Sequence, residues 1–347
     1  MLSSLICLGS LIGGEESPVI AEQDSLILSG VPGVPGIIGF TSNQEWLIVA
    51  EGRAIRIWSS NAWREVKVLH EESVIADCVL LPDSDQMLVE TIDTDGDSVL
   101  EVKRISNGEL ETGLGPGPWG ALAVSADGAS VILLTRDSRK VRGSEPQFCE
   151  VVDRQSGKSR LRVAAPELDR FTAAAFSPSG DKILLGTWRG RLLLYSTQGR
   201  LLREFAVSPE GQAHRGAVAS VRFFHRLPLV LSGDGRSEPV VRVWDIETGT
   251  QVTELRLSDD ENDQIQGVAI AGDERILAVA SMRKFALYSA TTWDELWSLR
   301  KEAGEGGFNS PAFAPNGEAV LVVDYPHRTK QGPSSVRIFS IPEVLPE

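Results

Sequence analysis

The chain reads as an all-β fold made of repeated four-stranded units, and three observations carry that reading. First, one pattern recurs seven times between Phe40 and Phe339: an apolar residue, a polar turn, then a second apolar residue seven positions on. The pairs are Phe40/Leu47, Leu80/Met87, Val124/Val131, Phe176/Ile183, Phe223/Val230, Ile270/Leu277 and Phe313/Val320. Successive first members lie 40, 44, 52, 47, 47 and 43 residues apart, which is the length that four short strands and their turns consume. Second, a later strand in each unit repeats a large residue at one place. Third, the two ends of the array are complementary. Together these predict a seven-bladed β-propeller with four antiparallel strands per blade, one domain over residues 22–347.

The fourth unit shows the expected order of elements. Residues 173–176 give an inner strand, and SPSG at 177–180 gives a tight turn. Strand two follows at 182–186, and Trp188-Arg189-Gly190 turns the chain. Strand three is 191–195, and residues 201–207 close the blade. Glycine tolerates positive φ, and proline or asparagine presets a bend, so SADG at 125–128 and APNG at 314–317 mark equivalent turns. The second strands are near-continuous apolar runs, such as residues 131–134 and 320–323, as sheets buried on both faces require.

The third strands carry the second signature. VRVWDIETG from Val241 aligns with IRIWSSNAW from Ile55, LEVKRISNG from Leu100, CEVVDRQSG from Cys149, LLLYSTQG from Leu192, FALYSATTW from Phe285 and VRIFSIPEV from Val336. The large position is Trp58, Lys103, Val152, Tyr195, Trp244, Tyr288 and Phe339. On these residues the chain resembles the WD-repeat β-propellers, with divergent repeats of bacterial type, from Ser25 to the C-terminus. The resemblance implies a stabilising network, matched in the fifth unit alone by His214, Ser232, Asp234 and Trp244. Residues 236–239 are inserted after Asp234, and elsewhere the Asp position is replaced, as by Arg189. It also implies a non-catalytic protein-binding platform, monomeric and without a cofactor.

The seventh unit ends at SIPEVLPE with no room for a fourth strand, whereas DSLILSG at 24–30 is a strand without a unit. One strand supplied from the N-terminus repairs both anomalies and locks the ring. Ahead of it, the apolar run 2–12 followed by Val19-Ile20-Ala21 reads as a secretory leader, residues 1–21, although it lacks Lys and Arg; the alternative is a disordered leader. A secreted or periplasmic location is therefore expected, with a cytoplasmic one as the alternative. No stretch is long and apolar enough for a membrane span.

A net charge of −14 and a pI near 4.9 repel phosphate backbones, so nucleic acid is not an expected partner. Cys7, Cys78 and Cys149 show no metal-binding or haem-attachment spacing, and no disulfide is expected. The four histidines are scattered, and neither HExxH nor GxSxG is present, so no catalytic residues are nominated. Gly157-Lys158-Ser159 lacks the leading glycine of a phosphate loop. Asp93, Asp95 and Asp97 alternate as oxygen ligands for a hard cation would, but Asp-Gly is also a favoured hairpin turn. The turns between strands two and three collect basic residues: Arg53, Arg136, Arg139, Lys140, Arg142, Arg189, Arg236, Arg283, Lys284, Arg328 and Lys330, with Trp188, Tyr325 and His327 among them. In a propeller these turns share one face. Aromatic and arginine side chains together suit a protein interface, and segregated charge would steer an acidic partner there. The alternative is a small acidic ligand or glycan, sensed or processed in the central funnel.

Overall fold

The computed structural model describes residues 26–31, 37–94, 97–117, 119–135, 147–207, 212–302, 304–327 and 333–341. The expected leader, residues 1–21, lies outside them. Among the described residues, twenty-eight strands form seven antiparallel four-stranded sheets. Strand β1 (Leu26–Val31) precedes the first blade, which holds β2 (Ile37–Phe40), β3 (Trp46–Glu51), β4 (Ala54–Ser59) and β5 (Arg64–His70). The second holds β6 (Val74–Leu80), β7 (Gln86–Ile92), β8 (Ser98–Arg104) and β9 (Leu110–Gly117). The third holds β10 (Trp119–Val124), β11 (Ser130–Thr135), β12 (Phe148–Asp153) and β13 (Ser159–Ala164). The fourth holds β14 (Phe171–Phe176), β15 (Lys182–Thr187), β16 (Leu192–Ser196) and β17 (Leu201–Phe205). The fifth holds β18 (Val218–Phe223), β19 (Leu229–Asp234), β20 (Val240–Asp245) and β21 (Gln251–Arg256). The sixth holds β22 (Ile265–Ile270), β23 (Ile276–Ser281), β24 (Lys284–Ser289) and β25 (Glu295–Arg300). The seventh holds β26 (Gly307–Phe313), β27 (Ala319–Tyr325) and β28 (Ser334–Ser340), with β1 as its outer strand.

The repeat is a register. All seven apolar pairs stand opposite each other across the first hairpin of their blade, from Phe40↔Leu47 to Phe313↔Val320. Each second member in turn faces the large residue of strand three: Leu47↔Trp58, Met87↔Lys103, Val131↔Val152, Ile183↔Tyr195, Val230↔Trp244, Leu277↔Tyr288 and Val320↔Phe339. Local chemistry sets the seven-residue step. In the first, third and fourth blades a hydroxyl opens the turn: Thr41 Oγ1 accepts the Trp46 N–H at 3.1 Å, Ser125 Oγ that of Ser130 at 2.9 Å, and Ser177 Oγ that of Lys182 at 3.0 Å. The side chain thus occupies a donor that would otherwise be left open at the hairpin end.

The core lies between blades. One buried cluster joins Leu231, Val241 and Val243 of the fifth blade to Val268, Leu277 and Val279 of the sixth, and the other clusters are built the same way. Both faces of each inner sheet are therefore covered, which is why the second strands read as unbroken apolar runs. The innermost strands β2, β6, β10, β14, β18, β22 and β26 each pack on the next, and β26 packs on β2. Closure follows the expected route: β1 pairs antiparallel with β28, Leu26 opposite Ile338 and Leu28 opposite Val336. Leu28 is buried with Val336 and Trp58.

Cys78 and Cys149 are free and buried in different blades. Burial pushes both thiols up to about 12, so neither is a reactive thiolate. Among the described residues, no helix is long and apolar enough to cross a membrane.

Candidate partner-binding face

In the fourth, fifth and sixth blades the turn after the second strand is stitched to the loop that enters the blade, and this builds one face. The Trp188 N–H donates to the Arg170 carbonyl at 2.9 Å, that of Gly235 to Ala217 at 2.9 Å, and that of Met282 to Gln264 at 3.0 Å. The Gly190 carbonyl accepts from Ala213 and His214, at 3.0 and 2.9 Å, tying the fourth blade to the fifth. Gly190 has φ +82°, and a Cβ there would fall 2.0 Å from the His214 carbonyl oxygen. Only glycine fits that crossing. Opening the turn, the residue four beyond each second apolar member is polar in every blade: Glu51, Thr91, Thr135, Thr187, Asp234, Ser281 and Asp324. The fourth-blade equivalent of Asp234 is therefore Thr187 and not Arg189.

On this face Trp188 forms a stacked unit. The guanidinium carbon of Arg170 lies 4.1 Å from the centroid of the Trp188 ring, and that of Arg236 lies 4.3 Å from it. The indole remains 39% exposed. Two residues before Arg170 on the same loop, Leu168 is 79% exposed and held at φ +59°, a left-handed conformation that a bulky residue seldom adopts. Asp169 fixes it there. Its N–H donates to the Pro166 carbonyl at 3.0 Å, and its Oδ1 accepts the N–H groups of Arg170 and Arg189, at 2.8 and 3.1 Å. Arg189, Arg215 and Arg236 are exposed, and no carboxylate among the described residues pairs with them.

The structure thus brings together Trp188, Arg189 and Arg236 from the set nominated by sequence. Arg283 lies on the same face one blade on, but Asp260 neutralises it. Lys284 does not stand on that face. The turn is only Met282 and Arg283 long, so Lys284 is already the first residue of β24; it is 2% exposed and paired with Glu295. Tyr325 closes β27 in the seventh blade, half-buried opposite Gly307, away from Trp188. Arg139, Arg142 and Arg328 lie outside the described residues, as does Asp95. Asp93 and Asp97 close a hairpin turn, the Asp97 N–H donating to Asp93 Oδ1 at 2.9 Å. Leu168, Arg170 and Arg215 were missed, because they sit on loops entering the blades; the only signal was a leucine between charges in Glu167-Leu168-Asp169-Arg170.

The fifth-blade network is buried and differs from the expected linkage. Trp244 Nε1–H donates to Ser232 Oγ at 2.8 Å, and His214 Nε2 lies 2.7 Å from the same oxygen. Asp234 does not reach His214. Its carboxylate accepts the N–H groups of Gly216, Arg236 and Ser237, at 2.8, 2.7 and 2.8 Å. The His214 Nδ1 instead faces Arg242 Nη1 at 3.0 Å, which also reaches Glu238 at 2.6 Å and the Ala213 carbonyl at 2.9 Å. Arg242 can only donate, so Nδ1 accepts and the ring proton sits on Nε2. Burial, reinforced by the Arg242 charge, holds the His214 pKa below its ordinary value. Burial works against the Glu238 carboxylate, but the Arg242 guanidinium bonded to it outweighs burial and brings its pKa down to about 2. His214, Asp234 and Glu238 lie close enough together to hold a cation. Their ligand atoms already have donors, however, and Arg242 Nη1 bridges His214 and Glu238.

A channel of about 670 Å³ runs inside the ring, lined by the innermost strands of all seven blades. Among the described residues, its lining contains one carboxylate, Asp77, one arginine, Arg222, and no histidine.

No protein-family model matches the chain. Over 150 residues, 42% of its length, it is 28% identical to a poly(A)+ RNA export protein of Schizosaccharomyces pombe, covering 37% of that protein. Over 74 residues, 21% of its length, it is 39% identical to actin-interacting protein 1-2 of Arabidopsis thaliana, covering 11% of that protein. The chain therefore spans well under half of either relative. With the seven-bladed ring, these stretches fit a WD-repeat propeller; the bacterial character expected of the repeats draws no support from them.

Proposed function

We propose that this WD-repeat-type propeller is a non-catalytic platform for a protein partner, and that the face around Trp188 receives an acidic segment bearing an apolar side chain. The observation that carries this reading is the exposed indole with two guanidinium groups packed on it, near a loop that carries an exposed, conformationally fixed leucine. Each half of the unit serves recognition. Trp188 and Leu168 offer rigid apolar area at little conformational cost, as interface anchors do. Arg189, Arg215 and Arg236 supply unpaired donors for carboxylates, and on a body of net charge −14 they form a local positive patch that steers an acidic surface to this face. Of the two relatives, one is named for interacting with actin, a protein partner, and the other for RNA export. The overall acidity of the present chain favours the first kind of role.

Affinity capture with the wild-type chain and with Trp188→Ala, read by mass spectrometry, tests the proposal. A protein enriched by the wild type and lost with Trp188→Ala, and released by salt, supports it. Equal capture by both chains would move the binding site elsewhere.

A further inference from the structure

The innermost strands present seven equivalent positions just before the first member of each apolar pair: Gly39, Val79, Ala123, Ala175, Arg222, Ala269 and Ala312. Six are small or aliphatic. The fifth blade alone puts a charge there. Arg222 lines the channel, and its side chain is exposed there. Its Nη1 donates to the carbonyl of Val221 at 2.8 Å, and no carboxylate among the described residues lies within ion-pair distance of it. The rest of its fork of donors is uncommitted. The charge nearest to it in effect is Asp77 of the second blade, across the ring. Enclosure lowers the Arg222 pKa and Asp77 opposes that shift, but an arginine stays charged in either case.

An unpaired guanidinium in a space of this kind is unusual in a fold whose six equivalent channel positions are alanine, glycine and valine. The surrounding wall includes Phe40, Val79, Ala175 and Phe176, which suit an apolar body. The volume falls within the range of about 300–1,000 Å³ typical of small-molecule sites. A guanidinium fork matches a carboxylate with two parallel hydrogen bonds. Asp77 already adds one negative charge to the same space, so a monoanion suits the site better than a phosphate dianion. From these features we infer that the central channel binds a small organic carboxylate, anchored by Arg222 with its body against the apolar part of the wall. The site is separate from the Trp188 face and does not depend on it.

The test uses the full chain and 4-fluorobenzoate as the probe, followed by fluorine NMR. The wild type should broaden the probe resonance saturably, Arg222→Gln should weaken binding at least about tenfold, and Arg222→Lys should fall between them. Inorganic phosphate should displace the probe poorly, and Trp188→Ala should leave its binding unchanged. The inference is overturned if the wild type shows no saturable binding up to about 10 mM, or if Arg222→Gln binds as well as the wild type. It also fails if Arg222→Gln and Arg222→Lys both melt far below the wild type, for the guanidinium would then be a strut of the ring.

Discussion

Trp244 and Trp188 are both tryptophans at the edge of an arginine cluster, yet the ring uses them in opposite ways. Trp244 is fully buried, donates to Ser232 and packs on Phe205 with ring centroids 5.7 Å apart. Trp188 keeps much of its indole in water, with arginines on its ring. Arg242 and Arg236 repeat the contrast within one blade. Arg242 is 6% exposed and answered by Glu238, Glu254 and His214. Arg236 is exposed and rests on an aromatic ring. What separates architecture from recognition is whether each donor already has its acceptor: a buried charge must be answered within the fold, and an exposed one is free to be answered by something else.

The largest effects should come from the buried side. Trp244→Ala should cost about 3–5 kcal/mol in urea unfolding, from the cavity and the lost hydrogen bond; a loss under about 1 kcal/mol would dissolve the contrast. Arg242→Met should cost about 3–5 kcal/mol, because it strands the Glu238 carboxylate, and adding Glu238→Leu should restore part of it. Arg236→Met should change stability by less than about 0.5 kcal/mol.

Acid should then separate the two regions. The His214 pKa is lowered in the folded state, so at pH values below its unfolded value the unfolded chain holds more protons. Stability falls as pH drops from the unfolded value of about 6.5 toward the folded one. Glu238, held at about 2, adds a second loss of the same sign between about 4.5 and 2. Thermal melts from pH 7.5 to 5 should show the first loss, and His214→Gln should flatten it; an unchanged slope would mean that other groups cause it.

The smallest stability effects belong to the exposed side. Arg189→Glu with Arg236→Glu should stay within about 1 kcal/mol of wild type, while slowing association with an acidic partner and weakening its salt dependence. Trp188→Ala should also unfold like wild type, and its effect should appear as faster dissociation. If it unfolded as easily as Trp244→Ala, Trp188 would belong to the architecture.

The register was legible because it depends on short-range spacing. Phe40 finds Leu47 through a hairpin that both residues flank, and the same holds six more times. Closure was legible because β1 and β28 each lacked a partner. The Trp188 unit was legible only in part. Arg236 and Trp188 fall at equivalent turns, so aligning the repeats brings them together, whereas Arg170 and Leu168 arrive on a connecting loop whose path no spacing reports. Lys284 looked like a turn residue until the turn proved two residues long. Glu238 and Arg242 stayed hidden because their partner is His214, which enters from the preceding loop of the same blade. Arg222 could be placed in the channel only once the seven inner strands were known to face one another.

The pairing of β1 with β28 also has a consequence in time. Leu28 and Val336 are neighbours in the folded ring, but roughly 300 residues of synthesis separate them. At about 5–20 residues per second, β1 leaves the ribosome some 15–60 s before its partner. For that interval an apolar strand, with Leu28 destined for the interior, has nothing to pair with. The first six blades are each complete in one continuous stretch and can form as they emerge, whereas the seventh must wait for its last residues. The nascent ring is thus an open arc whose first strand stays adhesive. Holding that end apart from other unpaired edges is a demand that falls on the cell's folding machinery before the ring exists.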